Sequence, residues 1–237
     1  MTNHRGQANV VGIAILIGVT VVALGALTAS IGAVIEEDAA RADAQRVADG
    51  FATTLDARTT TGHNRGRVTF AEGEIRPLDR QVRVFDENGI VRTIDAGALV
   101  FEAGARRVTY LGGAVVRGQP PGSTMRTEPP VTAARDGGAL VVGVATVGDA
   151  ATAVGGAGTV VLRTNVSHER ESLGTGRFRV AVETATPRPW RRYFERTGAT
   201  VTTRDIDGDG TESVVARYPG EREAWLVVHD LRVEVAA

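Results

Sequence analysis

The feature that most constrains this chain is an uncharged run near its N-terminus. After Arg5 the next charged residue is Glu36, and nothing between them is more polar than glutamine, asparagine, threonine or serine. As a helix, residues 10–35 would extend about 39 Å at about 1.5 Å per residue, more than the roughly 30 Å of a bilayer's hydrocarbon core. The run also lacks the polar stripe of a soluble amphipathic helix. It therefore predicts a transmembrane helix whose surroundings are membrane lipid.

The flanking charges predict the orientation of this helix. His4 and Arg5 precede the run, whereas Glu36, Glu37 and Asp38 follow it. Because positive residues favour the cytoplasmic side, we expect a cytoplasmic N-terminus and a C-terminal part outside the cell membrane. A removable secretory signal is a poorer fit, since its apolar region is only about 7–15 residues long and ends in a small-residue cleavage site.

The order of the first residues carries a family resemblance. A short polar leader is followed by Arg5 and Gly6, and the hydrophobic run starts at Gln7. This layout resembles the class III signal of archaeal type IV pilin-like proteins, including archaellins and haloarchaeal pilins, over about the first 55 residues. The resemblance implies that a prepilin-type peptidase cuts between Gly6 and Gln7, and that the retained helix bundles with those of other pilin-like subunits. Bacterial type IV pilins carry a glutamate where this chain has Val11, a glutamate that archaeal members commonly lack.

Three glycines recur along the apolar run at intervals of seven residues. Gly18, Gly25 and Gly32 therefore share one helix face, which Ala14 and Ala29 extend. Small residues permit close helix approach within membranes, so this face predicts helix packing. The alternative is that the spacing is chance, because glycine is frequent in membrane helices.

The helix is expected to continue beyond the membrane. Apolar residues follow at helical spacing, namely Ala44, Val47, Ala48, Phe51 and Leu55. Helix formers dominate this segment, and Gly50 is its one weak point. We expect one helix over about residues 8–56, followed by a loop at residues 59–66.

From Arg67 onward the pattern changes to short alternating runs separated by turns. The Asn88-Gly89 pair predicts a β-hairpin, and residues 118–130, with two Pro-Pro pairs, predict an irregular loop. Further strand candidates are 67–71, 98–102, 107–111, 139–146, 158–165, 178–184, 199–203, 213–218, 224–228 and 231–235. The expected fold class is α+β, with a leader at 1–6, a transmembrane and extended helix at 7–57, and an antiparallel, sandwich-like β-rich head at 58–237.

One short helix is expected within the head. Thr186 can cap it, Pro187 fits its first turn, and Trp190, Tyr193 and Phe194 lie on one face. We expect these aromatic side chains to pack the helix onto a sheet, with a sugar-binding patch as the alternative. The segment from residue 176 to the end looks like the C-terminal part of uncharacterised haloarchaeal proteins with pilin-type N-termini.

Composition removes several function classes. The chain has no cysteine, which excludes disulfides and thiolate metal sites, and its net charge of −1 gives no basic footprint for nucleic acid. The four histidines show no metal-ligand spacing, and His229-Asp230 lacks an accompanying Gly-x-Ser-x-Gly elbow. We expect no enzymatic activity and no cofactor.

Two short motifs remain open. Asp205, Asp207 and Asp209 resemble the start of a calcium loop, but Ala216 stands where the bidentate glutamate belongs. A hairpin turn without metal is therefore the favoured interpretation. Asn165 begins an Asn-x-Ser glycosylation sequon, which also arises frequently by chance.

These observations favour a non-enzymatic, pilin-like surface protein that serves in or alongside a type IV pilus-like structure. The alternative is a single-pass membrane-anchored surface protein whose head binds a ligand or envelope partner without polymerising. Processing at Gly6 separates the two, because a plain anchor needs no cut.

Overall fold

The computed structural model describes residues 4–135, 137–149 and 151–236, with side chains from residue 14 onward. In chain order the elements are α1 His4–Thr54, β1 Gly62–Phe70, β2 Glu74–Leu78, β3 Gln81–Phe85, β4 Ile90–Asp95, β5 Ala98–Ala103, β6 Arg106–Leu111, β7 Ala114–Arg117, β8 Thr124–Thr127, β9 Val131–Ala133, β10 Gly138–Thr146, β11 Val154–Gly155, β12 Gly158–Gly176, β13 Arg179–Glu183, α2 Pro187–Arg196, β14 Thr200–Asp205, β15 Glu212–Arg217, β16 Arg222–Asp230 and β17 Glu234–Ala236. The expected fold class is confirmed: a long apolar N-terminal helix precedes a β-rich head with one short helix.

The chain divides into two compact units, residues 1–39 and 40–237. The first unit is helical throughout its described part. The second unit, called the head below, begins with the last fifteen residues of α1, because these pack into its core.

Three sheets build the head. Sheet I has the order β1-β12-β16-β10-β9, with β17 also paired to β12; sheet II has the order β11-β2-β5-β6-β7-β8; and sheet III has the order β14-β15-β13-β3-β4. All pairs are antiparallel within the described residues except β10 with β16, which is parallel. The antiparallel expectation is therefore right for the head as a whole and wrong for this one pair.

The predicted buried face of α1 is confirmed. Ala44, Val47, Ala48, Phe51 and Leu55 are each at most 2 % exposed and lie in a core formed with strands of sheets I and II. The phenolic hydroxyl of Tyr110 in β6 donates to the Leu55 carbonyl at 2.9 Å and ties the end of the helix to sheet II. Tertiary burial of this kind, rather than helix propensity, stabilises most helices in proteins.

Gly50, which is a weak helix former, lies where α1 approaches β1 closely. A Cβ atom at Gly50 would stand 2.5 Å from Cγ2 of Val68, and one at Gly66 would meet the Thr54 side chain. Glycine therefore permits a close helix–strand contact that any other residue would obstruct.

A second core lies between sheet III, the β10 and β16 side of sheet I, and α2. Trp190, Tyr193 and Phe194 are at most 4 % exposed in it, so the expected packing role of these aromatics is confirmed. Gly198 follows the helix with a φ of +89°, as expected for a residue that ends it. The expected cap is wrong in one respect, since the Thr186 side chain makes no capping hydrogen bond.

Two loop expectations also fail. Residues 62–66 belong to β1, where they pair with β12 as far as Val166, and residues 124–127 form β8 inside the segment expected to be an irregular loop. In both places pairing with a distant strand overrides local turn chemistry.

Candidate functional site

The apolar half of α1 is long and apolar enough to cross a membrane. Its large side chains contact little else in the single chain; Ile15, Leu16, Ile17, Val19, Val21, Val22, Leu24, Leu27, Ile31, Val34 and Ile35 are all at least 52 % exposed. Leaving eleven such side chains in water would cost on the order of 15 kcal/mol relative to burying them. The segment therefore requires lipid or other apolar surfaces around it.

The hydroxyl groups within this segment are satisfied by the helix itself. Thr20 donates to the carbonyl of Leu16 at 2.7 Å, and Thr28 donates to that of Leu24 at 2.9 Å. Ser30 likewise bonds back one turn, at 2.9 Å. Such bonds remove the cost of placing a polar group in hydrocarbon, so the few hydroxyls present are compatible with a membrane span.

The predicted packing face is open. Apart from the adjoining backbone of the helix itself, no described atom lies within 4 Å of the place where a Cβ atom would stand at Gly18, Gly25 or Gly32. No other part of the chain that the structure describes occupies this face, and its role in packing stays a prediction.

The predicted processing site lies at the start of α1. The backbone of Arg5, Gly6 and Gln7 is helical. Their side chains, and residues 1–3 of the leader, lie outside the described part of the chain. Cleavage between Gly6 and Gln7 therefore stays a prediction.

The Asp205–Gly210 motif forms the turn between β14 and β15. The Asp205 carboxylate accepts hydrogen bonds from the backbone N–H groups of Gly208, at 2.8 Å, and Gly210, at 3.0 Å. Asp205 thus stabilises its own turn and is not part of the acidic cluster that the loop forms. The resemblance of Asp205, Asp207 and Asp209 to a calcium loop stays untested as a metal site, and the favoured interpretation remains a hairpin turn without metal.

The acidic cluster consists of Glu183, Asp207 and Asp209, with one carboxylate oxygen from each within 4.8 Å of the others. Glu183 comes from β13 and is 4 % exposed. No sequence signal points to Glu183, since it lies more than twenty residues before the loop and reaches the cluster only through sheet pairing. Burial raises the pKa of Glu183, and Arg80, 3.3 Å away, acts against that rise.

A buried guanidinium already supplies positive charge to this cluster. The Arg83 side chain, 5 % exposed, donates to the carboxylate of Asp207 and lies 3.9 Å from that of Glu183. Burial acts to raise the pKa of Asp207, but the charge and hydrogen bond of Arg83 hold it below the usual value. Arg83 thereby does within the protein what a bound cation would do.

We therefore expect the loop to bind calcium weakly or not at all. Isothermal titration calorimetry of the full chain in nonionic detergent is expected to give no micromolar affinity, because Ca²⁺ would have to displace Arg83 from Asp207. Micromolar binding that is lost in Asp207→Ala but retained in the control Asp149→Ala, an exposed residue outside the cluster, would contradict this expectation.

Two histidines meet that sequence spacing did not connect. His168 in β12 lies directly opposite His229 in β16, with the two Nδ1 atoms 2.8 Å apart. Nε2 of His168 lies 3.1 Å from the Thr60 carbonyl, so a neutral His168 donates there and accepts from the Nδ1–H of His229. Burial lowers the pKa of His229, and His168 lowers it further.

This arrangement ties the connection between α1 and β1 to sheet I. Asp230, the neighbour of His229, bonds instead to Nε of Arg232 at 2.9 Å. The geometry therefore favours a structural hydrogen bond between the two histidines over a catalytic triad. Asn165 lies half-buried in β12, and its glycosylation stays a prediction.

One comparison with known proteins gives a match. The model of a family described as "Family of unknown function (DUF7289)" matches residues 5–234, almost the whole chain. No curated protein and no solved structure matches the chain.

Proposed function

We propose that this chain, which belongs to the family of unknown function DUF7289, is a pilin-like surface protein. In this role it acts in or alongside a type IV pilus-like structure. The observation that carries the proposal is the single continuous helix His4–Thr54. Its two halves have opposite environments: side chains of the first half are exposed, and one face of the second half is buried in the head.

The different environments of the two halves of α1 support the proposal of a subunit held by its helix. The first half offers an apolar surface to lipid before assembly and to neighbouring helices after it. The second half belongs to the core of the head, where residues such as Phe51 and Leu55 are buried.

The glycine face supplies a surface for helix neighbours. Within lipid, helices gain little from apolar burial, so association depends on close backbone approach and van der Waals contact. Gly18, Gly25 and Gly32 leave that approach unobstructed. In this proposal a prepilin-type peptidase first frees the N-terminus of the helix, and the helix then packs against other pilin-like subunits.

Single cysteines test this packing directly, because the chain contains none. Gly25→Cys, on the glycine face, is expected to form disulfide-linked dimers when native membranes or surface filaments are oxidised. The matched control is Leu27→Cys, which lies about 200° further round the helix and is expected to cross-link several-fold less. Equal cross-linking at both positions, or none at either, would favour the single-pass anchor that does not polymerise.

A further inference from the structure

The outer face of sheet III carries an unusual arrangement of like charges. The register places Arg179 of β13 directly opposite Arg217 of β15, with Thr200 of β14 on the other side of Arg217. Residues directly opposite on antiparallel strands point to the same face, and like charges in such positions destabilise a sheet. The pair therefore calls for a compensating negative charge.

This row forms part of an open groove of about 480 Å³. Four arginines line it, Arg177, Arg179, Arg204 and Arg217, against two acidic residues, Asp86 and Glu87. The lining thus carries an excess of two positive charges. The hydroxyl-bearing residues Thr200 and Thr202 and the apolar Val215 also line it, with Thr200 opposite Arg217 and Thr202 opposite Val215.

The two acidic residues do not neutralise the centre of the groove. Glu87 lies 3.7 Å from Arg177, and both side chains are mostly exposed. The Asp86 carboxylate accepts the N–H groups of Asn88, at 2.7 Å, and Gly89, at 3.0 Å, and these bonds lower its pKa. The Asp86 carboxylate therefore stays negatively charged, and its hydrogen bonds stabilise its own turn.

The arginines differ in how they are held. Arg179 is positioned by a hydrogen bond from Nη2 to the Asp86 carbonyl, at 3.1 Å, and by the Phe85 ring, 5.2 Å from its guanidinium carbon. The side chains of Arg204 and Arg217 make no ion pair or hydrogen bond with any other described residue. One guanidinium is thus fixed in place, and two exposed ones remain available to a ligand.

We propose that this groove binds a small soluble ligand carrying two oxyanion groups, such as a dicarboxylate. Arg179 and Arg217 would hold one group in the charge-assisted geometry that planar guanidinium donors offer to a carboxylate. Arg204 would hold the other, since its cross-strand partner Ser213 lies four residues, or about 13 Å, along β15 from Arg217. Thr200 and Thr202 also line the groove and precede Arg204 on β14 at alternate positions.

This site is independent of the proposed role of the helix, because every residue in it belongs to the head. It also uses a different part of sheet III from the acidic cluster. There Arg83 already pairs with Asp207, whereas in the groove the excess charge has no internal partner among the described residues.

The test is calorimetric titration of the full chain in nonionic detergent with succinate, adipate and pimelate, and with acetate as the single-carboxylate comparison at matched ionic strength. At least one dicarboxylate is expected to bind about tenfold or more tightly than acetate, because it engages both ends of the groove. Arg217→Gln is expected to weaken that binding about tenfold or more, whereas the control Arg163→Gln, an exposed arginine in β12 on sheet I, is expected to leave it unchanged.

Thermal unfolding of the same variants separates a binding role from a structural one. Without ligand, Arg217→Gln is expected to keep or raise the melting temperature, since it removes the repulsion from Arg179. Lost binding together with retained stability supports the site. The proposal is overturned if none of the dicarboxylates binds more tightly than acetate, if Arg217→Gln binds as well as the control, or if its loss of binding is accompanied by a loss of stability.

Discussion

Replacing Phe51 with alanine is expected to lower the free energy of unfolding of the head by about 3–5 kcal/mol. The Phe51 side chain is fully buried in the core that α1 forms with sheets I and II. Alanine would remove the ring's apolar contacts and leave a cavity that the surrounding strands can fill only in part, since their backbones are fixed by sheet pairing. Few single substitutions outside such a core reach this size.

Chemical or thermal denaturation of the full chain in nonionic detergent measures this effect. For a head of this size we expect a fall in melting temperature on the order of 10 °C. The matched control is Thr53→Ala, an exposed residue two positions along the same helix, for which a change within about 0.5 kcal/mol is expected. A similar, small effect for both variants would show that the end of α1 does not belong to the folding unit of the head.

The prediction of α1 from sequence succeeded because its signals are local. Burial at positions 44, 47, 48, 51 and 55 follows from a period of 3.6 residues, and that period can be read without knowing the partner. Gly50 lowers helix propensity, and only the structure supplies the reason for its presence. The cause is Val68, eighteen residues away in β1.

The arrangement of the sheets could not be read in the same way. β12 pairs with β1 and β17 over its first half and with β16 over its second, so one strand joins segments from the beginning and the end of the head. Alternating hydrophobicity identifies many of the strands but does not identify their neighbours. This is why residues 62–66, which carry turn chemistry, were expected to form a loop.

The candidate sites show the same limit. Asp207 and Asp209 were visible as a motif, but Glu183 and Arg83 reach them only through the register of sheet III. The arginines of the groove lie on β14, β15, β13 and the residues before it, so no sequence window contains them together. Sequence therefore reveals sites built from one loop and conceals those built across strands.

The substitution Gly6→Val is expected to abolish maturation while leaving membrane insertion intact. In the proposed function the peptidase cuts between Gly6 and Gln7 at the cytoplasmic face, and the mature chain starts at Gln7 with its whole helix retained. Both residues lie in the first turns of α1, so this turn must unwind into an extended conformation before the bond can be cut. Glycine favours that step, because it weakens a helix by about 1 kcal/mol relative to alanine and presents no side chain to the protease cleft.

Valine at this position would place a branched, stiff side chain next to the scissile bond. Gly12→Val makes the same substitution further along the helix and is expected to leave cleavage unchanged. Arg5→Glu should weaken processing for another reason, since Arg5 keeps the leader at the cytoplasmic surface, and its burial at the membrane centre would cost at least about 2.5 kcal/mol.

Mass spectrometry of the membrane and surface fractions reads out the N-terminus of each variant, and protease added to intact cells reports whether the head is outside. Gly6→Val is expected to retain its leader, stay in the membrane and keep a protease-accessible head. Gly12→Val and the unmodified chain are expected to begin at Gln7. An unmodified chain that begins at Met1 or Thr2 in cells with an active prepilin-type peptidase would mean that the helix is an anchor alone, since a membrane anchor has no use for a cut that leaves its whole span in place.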